Sequence, residues 1–136
     1  MRHFTYAVCA VLAMSSSVAV PAQPIERGWA DARAVTVELS NFRFTPATIM
    51  MEHGHRYRLH LVNTASGAHD FSASSFFADA TVAPEDRTKI AKGEVSLHGG
   101  ESVDIRLIAP AAGTYKVRCT HFMHGALGMK GKIVVS

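Results

Sequence analysis

In segment after segment between positions 35 and 135 the apolar side chains return at every second residue, and that period leaves few folds open. Val35, Val37 and Leu39 alternate with Thr36 and Glu38. Tyr57, Leu59 and Leu61 alternate with Arg58 and His60, and Val103, Ile105 and Leu107 with Asp104 and Arg106. Tyr115, Val117 and Cys119 alternate with Lys116 and Arg118. Successive side chains of a strand point to opposite faces, so this pattern marks strands buried on one side only. Residues 41–46 alternate again and bend at Pro46; 48–51 is a short extended piece ending in the turn of Glu52, His53 and Gly54; 132–135 closes the chain. Gly, Pro and Asn punctuation at 63–67, 98–100 and 110–113 supplies turns. Short half-apolar strands with frequent turns predict an all-β fold, a two-sheet antiparallel β-sandwich.

One stretch breaks the pattern. Residues 73–93 carry Phe76 and Phe77, then Pro84, Glu85 and Asp86 followed by Lys89 and Lys92. A proline at the first helical position, acids in the first turn and lysines later suit a short helix and its dipole. The expectation is a helical excursion of one or two turns around 74–92, off the sandwich.

The N-terminus reads as a targeting segment. Arg2 and His3 form a basic head, an apolar run too short to span a bilayer follows, and then Ser15, Ser16, Ser17 and small residues. This is the pattern of a secretory signal peptide over 1–22, cut after Ala22. Residues 23–32 read as a flexible leader and 33–136 as one domain. Of 136 residues, 114 remain after removal of 22, enough for a single core. The cut removes one of the 14 Lys and Arg and none of the 11 Asp and Glu, which leaves a net charge of +2. Basic residues are spread through the strands and no later run is long enough to span a bilayer, so neither nucleic acid nor a membrane is an expected partner. The chain is read as a monomer.

Cysteine usage narrows the chemistry. Cys9 leaves with the signal peptide, so Cys119 remains alone and no disulfide can form within the chain. A leftover thiol in an exported protein needs a reason. Cys119 opens a run with His121, Met123, His124, Gly125, Gly128 and Met129. The spacing from Cys119 to His124 and from His124 to Met129 lets one short loop wrap three donors around an ion, with glycines permitting tight turns. His69, in a second loop between strand patterns, is the best fourth donor. One thiolate, two imidazoles and a thioether form the set that favours copper in a type 1 centre. His121 competes with His124, and Met123 with Met129; the turn from Gly125 to Gly128 favours His124 and Met129. A structural zinc site would need more cysteines, and no zinc-hydrolase His-Glu-x-x-His motif occurs.

The order Gly113, Tyr115, Cys119, then His124, then Gly128, Met129, Gly131, Ile133 and Val135 resembles the C-terminal signature of the cupredoxins, the plastocyanin and azurin group. Residues 63–71, with Asn63, His69 and Phe71, are similar to that family's first-ligand loop. The resemblance implies an eight-stranded Greek-key sandwich with one copper at one end, cycling between Cu(I) and Cu(II), held by His69, Cys119, His124 and Met129. The Cys119-to-His124 gap is longer than in plastocyanin and more like azurin or rusticyanin. Asp70 stands where the family usually carries an asparagine that ties the ligand loops together; a carboxylate accepts such bonds but cannot donate them.

The expectation is an exported, non-enzymatic mononuclear copper protein that carries single electrons, with a redox or copper-handling partner docking near His124. Phe122, Ala126 and Leu127 would form an apolar docking patch around it. The competing reading is a periplasmic copper-binding or delivery protein, motivated by the surplus His121, Met123, Met50, Met51, His53 and His55. His60 and His98 read as polar-face and turn residues.

Overall fold

The computed structural model describes residues 28–121 and 126–136. Among them, ten strands form two five-stranded sheets. The strands are β1 (Arg33–Ser40), β2 (Arg43–Thr45), β3 (Thr48–Met51), β4 (Arg56–Asn63), β5 (His69–Ser72), β6 (Thr81–Val82), β7 (Glu94–Leu97), β8 (Ser102–Ile108), β9 (Gly113–Arg118) and β10 (Lys130–Val135). The first sheet runs β2-β1-β4-β8-β6 and the second β3-β10-β9-β5-β7.

Each alternating segment buries the side that its sequence marks. Val37, Leu39, Leu59, Leu61, Ile105 and Leu107 face inward from the first sheet; Ile49, Phe71, Val95, Val117 and Ile133 face inward from the second. The β-sandwich of the sequence reading is present, with two differences in detail. The short strands β2 and β6 raise the number from the eight that the family resemblance implies. The sheets are also not purely antiparallel: β1 runs parallel to β4, and β3 parallel to β10. The cause is the path after Pro46. The chain leaves the first sheet there, lays β3 into the second and returns as β4 beside β1, in the same direction.

The excursion contains two helical pieces. Helix α1 (Ser74–Asp79) buries Phe76 and Phe77. Their rings extend an edge-to-face series with centroids 5.7 Å apart for Phe44 and Phe71, 6.2 Å for Phe71 and Phe77, 5.6 Å for Phe76 and Phe77, and 5.6 Å for Phe76 and Tyr115. Each buried phenyl contributes about 1.5–3 kcal/mol by leaving water, and the T-shaped geometry suits the ring quadrupoles. Gly93 makes the seating of α1 possible. It lies at φ +77°, and a Cβ there would fall 2.5 Å from the Ser74 backbone.

The second piece, Pro84–Lys89, is a 3-10 helix with the expected proline start and acidic first turn. Asp86 of this turn is buried and anchors it to β8. Its Oδ2 accepts bonds from the backbone N–H and the Nε of Arg106, both at 2.8 Å, and its Oδ1 lies 2.6 Å from the Lys89 ammonium. Burial alone would raise the Asp86 pKa. The bonds from the Arg106 side chain, from Lys89 and from the Arg106 backbone outweigh it and hold the carboxyl at about 2, below its usual 3.8.

A depressed folded-state pKa gives stability that is complete above the unfolded-state value and lost as pH falls through the folded one. Asp86→Asn is therefore expected to lower unfolding free energy by on the order of 2 kcal/mol at neutral pH. That difference should shrink between about pH 4 and pH 2, as followed by urea denaturation of the metal-free protein. A gap unchanged across that window would show that the carboxylate charge is not what anchors the turn.

Candidate metal centre

Three of the four expected donors are brought together at one end of the sandwich. Cys119 continues β9 in phase with Val117 and is buried, with 2% of its surface exposed. Met129 directly precedes β10 and is wholly buried. Lys130 pairs with Arg118 across the ladder, and the Cys119 N–H donates to the Met129 carbonyl at 3.2 Å, so the two sulfur residues flank the same rung. His69 opens β5, also wholly buried, with Nδ1 3.9 Å from the Cys119 Sγ. His124 and Met123 fall outside the described residues. His121 lies just beyond the end of β9 and is exposed.

The ring of His69 is oriented from behind. Its Nε2 is 3.3 Å from the Asn41 Oδ1, which can only accept, so Nε2 carries the proton and Nδ1 presents a lone pair toward Cys119. Asn41 comes from the two-residue turn joining β1 to β2, in which Phe42 adopts a left-handed φ of 66°. The sequence reading placed Asn41 in an alternating segment and missed this role. An Asn between two strand patterns was the available signal, but nothing local says which distant ring it faces.

Asp70 ties the two ligand-bearing strands together. Its backbone N–H donates to the Cys119 Sγ at 3.3 Å, and its Oδ2 lies 3.0 Å from the Thr120 hydroxyl. Glu94 Oε2 approaches the same hydroxyl at 2.5 Å; with a single proton, Thr120 donates to one carboxylate at a time. A carboxylate at position 70 thus keeps the loop tie by accepting, as its chemistry requires. Burial pushes the Cys119 thiol above its ordinary pKa. Backbone N–H groups of Asp70 and His121 oppose that rise, while the Asp70 and Glu94 charges add to it.

The loop leading to His69 is held by Asn63, a second residue whose role the sequence reading missed. Buried at the end of β4, its amide donates to the carbonyls of Gly67, Leu97 and His98 at 2.8, 3.1 and 3.0 Å, and its Oδ1 accepts from the Ala65 N–H at 3.0 Å. The 98–100 turn packs closely against this loop: a Cβ on Gly99 would lie 2.2 Å from the Ser66 carbonyl oxygen.

Three other described histidines are engaged elsewhere. His53 Nδ1 lies 2.8 Å from the Pro110 carbonyl, His55 faces Glu52 at 3.4 Å and His60 faces Asp104 at 2.7 Å. Of the neighbouring methionines, Met51 is buried and Met50 exposed. The donor set fits a soft ion: a lone thiol and an oriented imidazole nitrogen converge in a site shielded from water, beside a buried thioether.

Asn63→Ala would leave three carbonyls without their shared donor. The expected loss is about 3 kcal/mol of unfolding free energy, read by chemical denaturation. Amide exchange should accelerate most at 64–69 and 97–101; uniform acceleration across the sandwich would contradict a local role.

Comparison with known proteins places this geometry. The model of the cupredoxin-like domain matches residues 5–135. Among solved structures, reduced auracyanin from Roseiflexus castenholzii superposes with a TM-score of 0.57 at 21% identity, covering 77% of this chain and 98% of its own. Auracyanin A, a "blue" copper protein from Chloroflexus aurantiacus, gives 0.53 at 22% identity, covering 76% and 99%. A multicopper oxidase from Campylobacter jejuni gives 0.58 at 11% identity over 76% of this chain and 30% of the oxidase. At such identities these structures speak for the fold. No curated protein sequence matches the chain. A family match spanning nearly the whole sequence, on a two-sheet sandwich with Cys119, His69 and Met129 gathered at one end, establishes that this chain belongs to the cupredoxin-like family.

Proposed function

We propose that the chain is an exported mononuclear type 1 copper protein that carries single electrons between redox partners, with His69, Cys119, His124 and Met129 as ligands. The observation that carries this reading is the approach of the His69 Nδ1 to the Cys119 Sγ at 3.9 Å within a buried strand end. Copper, when bound, supplies a one-electron couple between Cu(I) and Cu(II).

The chain's own residues prepare the site. Asn41 fixes the His69 tautomer, and the Asp70 N–H donates to the sulfur, which favours the thiolate that a metal requires. The β5 and β9 backbones hold both groups in place, so little rearrangement accompanies a change of charge. Four protein donors leave no open coordination position for a substrate, so the proposed role is carriage and not catalysis. Residues 1–22 are proposed as a signal peptide and 23–32 as a leader, with periplasmic or secreted placement of the 33–136 domain. No described helix is long and apolar enough to cross a membrane.

The copper-delivery alternative draws less support. Among the described residues, His53 and His55 join no third His, Cys, Asp or Glu in a metal-sized group. His53 faces Pro110 and Met51 faces the core.

Addition of Cu(II) to purified residues 23–136 should give an intense sulfur-to-copper charge-transfer band and a small EPR hyperfine splitting. Cys119→Ser and His124→Ala should abolish the band, whereas His121→Ala should keep it. A band that survives His124→Ala and vanishes in His121→Ala would move the second imidazole to His121. Asn41→Leu should weaken copper affinity by about tenfold or more without unfolding the domain, measured by competition with a chelator. Unchanged affinity would remove Asn41 from the positioning role. Reversible redox cycling with fast exchange to a protein acceptor supports carriage, and copper transfer without electron exchange would support delivery.

A further inference from the structure

The outer face of the second sheet carries an arrangement that the fold does not require. Lys130 lies opposite Arg118 and Lys132 opposite Lys116 on β10 and β9. All four side chains are exposed. Directly opposed residues are about 5 Å apart at Cβ and alternate residues along a strand roughly 7 Å apart, so the four cations form a compact rectangle. Like charges directly opposite one another destabilise a sheet. None of the four makes a side-chain hydrogen bond or ion pair among the described residues. The two acidic residues on this face, Asp70 and Glu94, both approach the Thr120 hydroxyl.

The position is as informative as the charge. Arg118 immediately precedes Cys119, and Lys130 immediately follows Met129. Beyond the rectangle the same face continues into Val134 and Met50, paired across β10 and β3, and Met50 is 61% exposed. Cations beside an exposed apolar side chain on a flat sheet suit a protein surface. A polyanion would use only the charges, and a lipid surface is better served by an amphipathic helix with a large apolar face.

We propose that the outer face of β9 and β10, with Met50 at its margin, docks a carboxylate-rich surface of a partner protein. A partner seated there lies against the two strands that carry Cys119 and Met129. The purpose of docking at that place rests on the electron-carrier reading; the docking itself does not.

The test uses ¹⁵N-labelled protein, metal-free and copper(I)-loaded, titrated at low ionic strength with oxidised flavodoxin, an acidic diamagnetic redox protein. Amide shifts should cluster on β9, β10 and β3, and affinity should fall about tenfold as salt rises from roughly 20 to 200 mM. Lys116→Glu combined with Lys130→Glu turns both opposed pairs into opposite-charge pairs. This variant should bind about tenfold more weakly or worse and melt at a higher temperature, which a purely structural role for the lysines would not produce. Met50→Ser should weaken flavodoxin binding about threefold and leave heparin binding unchanged. Shifts centred elsewhere, or affinity unmoved by the charge reversal, would overturn the proposal. So would tighter binding to phosphatidylglycerol vesicles or to heparin, which would assign the face to lipid or to a polyanion. The copper band is read on the same proteins after loading with Cu(II). Its absence from the wild type would remove the copper reading alone, while its retention in a variant that no longer binds would isolate the docking face.

Discussion

The approach of β5 to β9 is the contact on which the rest of the molecule depends. Ser72 pairs with Arg118, and one step along, the Asp70 N–H meets the Cys119 sulfur. That rung brings together two residues 50 positions apart in sequence, His69 and Cys119, and buries both. Neither side chain would be stable there alone. A buried thiol is driven to its neutral form, and a buried imidazole needs partners for both ring nitrogens. Asn41 supplies one such partner, and Asp70 and Thr120 lock the strands that carry the rest. The site is thus a product of sheet register: a slip of one residue in either strand would turn Cys119 or His69 to the outer face.

The supports of that register are distributed over the fold. Asn63 fixes the loop entering β5, Gly99 lets the neighbouring turn close against it, and Gly93 allows α1 to seat its phenyl rings beside Phe71. Asp86, through Arg106 and Lys89, holds the excursion against β8 on the first sheet. The two sheet faces divide the work. Inward residues make the core and the donor end, while the outward residues of β9 and β10 carry charge that the core has no use for.

Much of this was legible in the sequence because strand periodicity is a local property. The inward positions Val37, Leu59, Leu61, Ile105, Leu107 and Val117 follow directly from alternation, and Cys119 continues the same phase. The helical excursion was legible from Pro84 and its charges, and from the break in alternation. The parallel pairing of β1 with β4, and of β3 with β10, was not legible, because strand order depends on which sheet the chain enters after Pro46. The roles of Asn41 and Asn63 were not legible for a related reason. Both look like ordinary turn residues, and their partners lie up to 35 residues away. The role of Asp70 was half legible: its inability to donate was evident from chemistry, but its acceptor use by Thr120 required the β5–β9 rung.

The most direct measurement of the central claim is copper-edge X-ray absorption on the metal-loaded protein, with Cys119→Ser as the control. One short sulfur scatterer and two imidazole nitrogens around a single copper are predicted, with the sulfur lost in the variant. A coordination shell of nitrogen and oxygen alone, unchanged by Cys119→Ser, would contradict a metal held between His69 and Cys119.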